Sequence, residues 1–191
     1  MRFDDGRTMR LYRQTIEDFS LYSGMELEDD QFSKLEVAAG KMSAKMRAVR
    51  IVSASSVSKK DLEQRLIHKG ESPDHAKQAV DWMAELDLID DSKTAQQIVQ
   101  RCISKGYGIA RAKQALYEKR IPKSCWQDAL EDYPDQTDAI VTFLQGRIKD
   151  IGDRREVQRA VDALLRRGHS YPQIRRGLEQ LSVDTEEFPE D

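Results

Sequence analysis

At 191 residues, with 34% charged and 7% aromatic side chains, the chain is sized for one or two compact domains or a short array of repeats. Its 10 Gly and 5 Pro leave little material for a turn-rich β-sandwich. No stretch approaches the roughly 18 apolar residues of a membrane span, and Met1-Arg2-Phe3-Asp4-Asp5 does not open a signal peptide. Two cysteines, Cys102 and Cys125, cannot staple a fold of this size, so a reducing cytoplasm is the expected setting.

The net charge of −3 conceals an alternation. Segments 1–33, 34–70, 71–100, 101–123, 124–139, 140–177 and 178–191 carry −4, +6, −5, +6, −5, +5 and −6. Alternating bands of this kind offer separate faces to separate partners.

In chain order, residues 1–30 read as a small extension. A β-hairpin is expected around Asp5-Gly6, a pair suited to a type I′ turn, followed by a short helix over 16–22 that stops at Gly24. Residues 31–89 read as three helices. The first covers 31–53, the second starts at the capping sequence Ser58-Lys59-Lys60-Asp61 and stops at Gly70, and the third starts at Ser72-Pro73. Residues 90–133 repeat the pattern, with Asp90-Asp91-Ser92 capping a helix over 92–105 and Pro122 starting the last one. Residues 134–181 repeat it again, with a helix over 134–151, a stop at Gly168 and a start near Pro172. Residues 182–191 read as an acidic, flexible tail.

The internal match runs at offsets of 50 and 48 residues. Leu66, Leu116 and Leu164 coincide, as do Leu62, Ala112 and Ala160 one turn earlier. Beyond the turn, Ala76, Trp126 and Ile174 align, then Val80, Leu130 and Leu178. Spacing of four on both sides of a short break is a pair of amphipathic helices. The expected fold is therefore all-α, three tandem three-helix repeats, each too small to bury a core alone.

Catalytic and metal chemistry are hard to find. The three histidines His68, His75 and His169 form no ligand spacing, and Gly106-Tyr107-Gly108 lacks both a preceding strand and the Lys-Ser/Thr of a phosphate loop. No metal, cofactor or enzymatic activity is expected. Asp90-Asp91 read as a helix cap, and Trp82 and Trp126 as core residues at helical spacing. The basic side chains remain. Lys105, Arg111, Lys113, Lys119 and Arg120 cluster in sequence around the second turn, while Arg155, Arg159 and Arg166 share one helix face in the third unit. Such residues suit phosphate-backbone contact, so weak, salt-sensitive binding to single-stranded and duplex DNA is expected.

Two stretches carry a family resemblance. Leu86-Asp87-Leu88-Ile89-Asp90-Asp91-Ser92-Lys93-Thr94-Ala95 is similar to an apolar-Ile-Asp-Asp-x-x-x-Ala segment. Lys105-Gly106-Tyr107-Gly108-Ile109-Ala110-Arg111 followed by Leu116-Tyr117-Glu118-Lys119-Arg120-Ile121-Pro122 is similar to a Gly-x-Gly-x-x-Arg…Leu-x-x-Lys-Gly-Ile signature. Over residues 30–181 the chain thus resembles the RecX regulatory proteins, bacterial modulators of the RecA recombinase. It departs from them at Arg120, where a turn glycine is usual, at Val57, where Arg commonly precedes Ser58, and at Thr94, where an aromatic is usual. The resemblance implies an elongated, curved array lying in the groove of the RecA–single-stranded DNA filament. There it would damp filament extension, strand exchange, coprotease activity and ATP hydrolysis, a role in recombination, DNA repair and the SOS response. The RecA filament is the implied partner, the eight basic residues named above are the candidate contacts, and a cytoplasmic monomer is expected. The alternative is a helix-turn-helix transcription regulator reading bases with one helix.

Overall fold

A computed structural model describes residues 1–4 and 6–182. The expected tail thus lies, but for Ser182, outside the described residues. The chain divides into two compact units, Met1–Asp90 and Asp91–Asp191.

The first unit holds α1 (Arg13–Asp18), α2 (Asp29–Ala54), α3 (Lys59–His68) and α4 (Pro73–Glu85). The expected hairpin is not formed as strands. Among the described residues there is a single antiparallel bridge, Arg2 to Thr8, with Phe3 N–H donating to the Arg7 carbonyl at 2.9 Å. Met9 N–H also donates to the Met1 carbonyl at 3.0 Å and the Met1 ammonium to the Met9 carbonyl at 2.7 Å, but the pairing is too short to count as strands, and a lone two-stranded ribbon is marginal in water. The segment is also held by Phe3 packing edge-on to Phe32, with ring centroids 5.0 Å apart. The short helix also begins and ends earlier than expected, and Gly24 sits in the following loop at φ +85°.

Helix α2 runs 26 residues, ~39 Å at 1.5 Å per residue, and its buried positions are Leu35, Ala39, Ala44 and Ala48. Small residues there let α3 and α4 approach, so Leu62, Leu66, Ala76 and Met83 complete a core that is at most 1% exposed at each of these four positions. The starts follow the capping expected: Ser58 Oγ accepts from Asp61 N–H at 3.1 Å and Ser72 Oγ from His75 N–H at 3.2 Å.

The second unit holds α5 (Asp91–Ser104), α6 (Ile109–Glu118), a 3-10 turn (Lys123–Cys125) leading into α7 (Trp126–Leu130), α8 (Thr137–Gln145), α9 (Arg154–Arg166) and α10 (Tyr171–Gln180). One core gathers Ala95, Val99, Leu116 and Ile121, flanked by Trp126. Another gathers Ile140, Leu144, Val161, Leu164, Ile174 and Leu178. Helix α8 is shorter than the 134–151 expected from sequence. Asp135 Oδ1 accepts from both the N–H and the hydroxyl of Thr137, at 3.1 and 2.8 Å, and fixes the start three residues beyond Pro134. At the other end the Leu144 carbonyl accepts from Arg147 and Ile148, closing the helix at Gly146.

One helix ending recurs. After α3, α6 and α9 a residue of positive φ follows the cap: Gly70 at +92°, Arg120 at +54° and Gly168 at +86°. In each, the next residue donates its N–H back five positions, to Leu66, Leu116 and Leu164. This double-bonded ending satisfies carbonyls the helix leaves orphaned. The residues so placed, Glu71, Ile121 and His169, are all buried.

Candidate functional site

The site is built where the α5–α6 turn meets the α9–α10 turn. Gly106 ends α5 at φ +62°, and Gly108 then opens α6 in an extended conformation. Gly108 N–H donates to the Arg167 carbonyl at 3.0 Å, and Ala110 N–H to the Gly168 carbonyl at 3.3 Å. A Cβ on Gly108 would lie 2.0 Å from the Gly168 oxygen, and one on Gly168 would lie 2.3 Å from the Arg111 nitrogen. The two backbones touch because neither residue has a side chain. The Gly-x-Gly that superficially suggests a nucleotide loop is therefore a helix ending followed by a backbone-to-backbone weld.

His169 locks the same junction. Its ring is 4% exposed, and Nε2 lies 3.0 Å from the Gly106 carbonyl. A carbonyl only accepts, so Nε2 carries the proton and Nδ1, buried without a partner among the described residues, is bare. Burial holds this imidazole below its ordinary value of 6.5, and Arg167 adds to the effect. Tyr133 closes the other side: its hydroxyl donates to the Tyr107 carbonyl at 2.6 Å, and burial pushes its pKa up to about 12.

Around this weld the positive charges gather unevenly. Arg101, Lys105 and Arg111 converge on buried Cys102, whose thiol burial pushes up while the three cations pull it down. Arg111 reaches along α6 to Glu118 at 3.2 Å, an exposed pair of small energetic value. Hydrogen bonds from Gln114 and then Arg111 hold the Glu118 carboxyl below its usual range. Lys113 lies two residues on, ~200° around a helix with 3.6 residues per turn, so it faces away from Arg111. Lys119 and Arg120 sit at the far end of α6, ~15 Å from its start. The five basic residues adjacent in sequence thus separate into Lys105 with Arg111, Lys113 on another side, and Lys119 with Arg120.

Helix α9 keeps its stripe. Val157, Ala160, Val161 and Leu164 are buried, while Arg155, Arg159 and Arg166 fall within ~40° of one another on the opposite, exposed side. Asp162 interrupts this stripe and accepts from Gln158 Nε2 at 2.9 Å. Arg155 and Arg159 lie near the start of the helix, one turn apart, whereas Arg166 lies at its end beside the weld.

Two contributors absent from the eight candidates are Arg167 and Arg147. The Arg167 guanidinium stands 5.3 Å from the Tyr107 ring centre and 4.8 Å from that of Phe143, and Arg147 stands 5.4 Å from Phe143. Beside them is a cleft of about 390 Å³ whose walls include Lys105, Asp138, Thr142 and Phe143. The signal for Arg167 was present in the chain: it aligns with Lys69 and Lys119, the basic residue preceding each turn. No group of three or more His, Cys, Asp or Glu able to hold a metal occurs among the described residues, and none of the described helices is long and apolar enough to cross a membrane.

Comparison with known proteins gives a consistent result, although no family model matches. A regulatory protein RecX of Halorhodospira halophila is 26% identical over 157 residues, covering 81% of this chain and 98% of the relative. That of Vibrio parahaemolyticus is 28% identical over 140 residues, 72% and 90% of the two chains. That of Clostridioides difficile is 24% identical over 184 residues, 93% and 86%. Among solved structures, a crystal structure of regulatory protein RecX superposes with a TM-score of 0.70 at 20% identity, over 96% of this chain and 91% of the other. RecX from Lactobacillus salivarius superposes at 0.67 with 23% identity, over 77% and 99%. The fold, mostly helical, is that of the RecX structures.

Proposed function

We propose that this chain, a protein of the RecX regulatory family, modulates a RecA-type recombinase by seating on its filament with single-stranded DNA, without catalysis of its own. In this reading residues 31–89, 90–133 and 134–181 are three tandem three-helix repeats of a cytoplasmic monomer, and the net effect on RecA is inhibition. The observation that carries it is the dispersal of exposed positive charge. Lys105 with Arg111 and Lys119 with Arg120 lie toward opposite ends of α6, a helix ~15 Å long, and Arg155 with Arg159 form a third group near the start of α9. Several weak sites within one compact unit, Asp91–Asp191, gain from one another by effective concentration, which suits a long, repetitive partner. Base reading by one helix is disfavoured, since Arg111 and Lys113 point to opposite sides of the short helix α6.

The test reverses charge in pairs, Arg111→Glu with Lys113→Glu, and separately Arg155→Glu with Arg159→Glu, and measures suppression of RecA-dependent ATP hydrolysis on single-stranded DNA. Each pair should weaken suppression while leaving helicity unchanged, because exposed helix positions cost within about 0.5 kcal/mol. Undiminished suppression by both variants at equal concentration and low salt overturns the proposal.

A further inference from the structure

The cleft beside Arg167 has a composition that its neighbours do not use. Arg167 is half-buried and its described partners are two aromatic rings, so its guanidinium is oriented but not neutralised. Lys105 lines the same cleft and Arg147 flanks it, against one carboxylate, Asp138. The remaining wall is formed by Gly106, Ala139, Thr142 and Phe143, so an alanine and an aromatic ring give it an apolar part. Such a pocket fits an anion joined to an apolar group. A nucleic acid strand fits it less well, because the rings that bases would stack upon already face guanidinium groups.

A segment with that chemistry belongs to this chain. Residues 183–191 contain Asp184, Glu186, Glu187, Glu190 and Asp191, no basic side chain, and one aromatic, Phe188. Helix α10, from which they continue, packs against α8 so closely that a Cβ on Gly177 would lie 2.6 Å from Ile140 Cγ2. Its last residues, Glu179 and Gln180, line a neighbouring cleft together with Asp138, the residue that also borders the Arg167 cleft. From Ser182 to Phe188 an extended chain reaches ~20 Å, enough to pass the first turn of α8. Tethering at this range supplies an effective concentration on the order of millimolar, so even a weak contact is populated.

We propose that the cleft formed by Lys105, Phe143 and Arg167 is a peptide-binding site whose occupant is this chain's own 183–191 segment. The bound segment shields the positive charge nearest the weld from any external partner. This inference is independent of the proposed RecA role, and its test contains no RecA.

In the 191-residue chain, Phe188 is replaced by the photo-crosslinker benzoylphenylalanine and irradiated at low micromolar concentration. The expected products are intramolecular crosslinks to 105–107, 138–147 or 165–169. In a second measurement, a free peptide of the 183–191 sequence is titrated into the parent and into a chain carrying Glu186→Gln, Glu187→Gln, Glu190→Gln and Asp191→Asn. If the tethered copy holds the cleft nine-tenths of the time, the peptide binds the neutralised chain about tenfold more tightly than the parent. Adding Arg167→Gln and Lys105→Gln to the neutralised chain removes that binding. Crosslinks confined to other regions or formed only between chains, or equal peptide affinity for parent and neutralised chain, overturn the proposal.

Discussion

Gly108→Ala isolates the backbone weld from every other feature of the site. Gly108 has φ −75° and ψ 163°, a conformation alanine adopts freely, so backbone preference alone would favour the change by about 0.4–1 kcal/mol through the unfolded chain. The added methyl, however, would lie 2.0 Å from the Gly168 oxygen and 2.2 Å from its carbonyl carbon. Both are backbone atoms inside a helix ending, so neither can swing aside as a flexible side chain would. Relief requires α6 to retreat, which stretches the Gly108–Arg167 and Ala110–Gly168 hydrogen bonds at about 1 kcal/mol each. Overpacking strain of about 1–3 kcal/mol adds to that. The net destabilisation should be about 3 kcal/mol, which for a unit near 100 residues lowers its melting temperature by roughly 12 °C or more. Gly146→Ala is the control, since a Cβ there meets nothing closer than 3.6 Å. Thermal unfolding followed by circular dichroism reads both variants. If Gly108→Ala melts within a degree or two of the parent, the contact between the two turns does not hold this unit together.

Two further substitutions test the helix ending and its histidine. Arg120 occupies a left-handed position, φ +54°, that costs a non-glycine residue roughly 1–2 kcal/mol, so Arg120→Gly should stabilise by roughly 0.5–1 kcal/mol after the entropy of glycine is subtracted. An unchanged or lowered midpoint in urea would contradict this. His169 is held neutral in the folded chain, below its ordinary 6.5, so the unfolded state takes up a proton first as pH falls. Its contribution is therefore unimpaired above about pH 6.5 and is eroded as pH drops toward the lowered folded value. His169→Gln keeps a donor toward the Gly106 carbonyl and does not titrate, so its stability should fall less between pH 6.5 and 5 than the parent's. Parallel stability–pH curves for the two proteins would refute the assignment.

The chain by itself determined the helices and most of their limits. Apolar spacing of four, Ser58 and Ser72 as caps, and Gly70 and Gly168 as stops are local signals, because each acts within one helical turn of itself. The same locality explains the failures. Nothing near Asp5-Gly6 says whether its arms will find a third strand, and among the described residues a single bridge forms. Asp135, rather than the proline before it, chooses where α8 begins, since a side-chain bond to Thr137 outweighs a positional preference. For the site, the kind of residue was legible and the grouping was not. Five basic residues close in sequence fall on different sides and opposite ends of α6, because helical rotation of 100° per residue scatters neighbours. Arg167, more than 50 residues away in the chain, comes to stand over Tyr107. That encounter depends on Gly108 and Gly168 lacking side chains at one point of contact, a coincidence of two distant positions that only the packed tertiary structure decides.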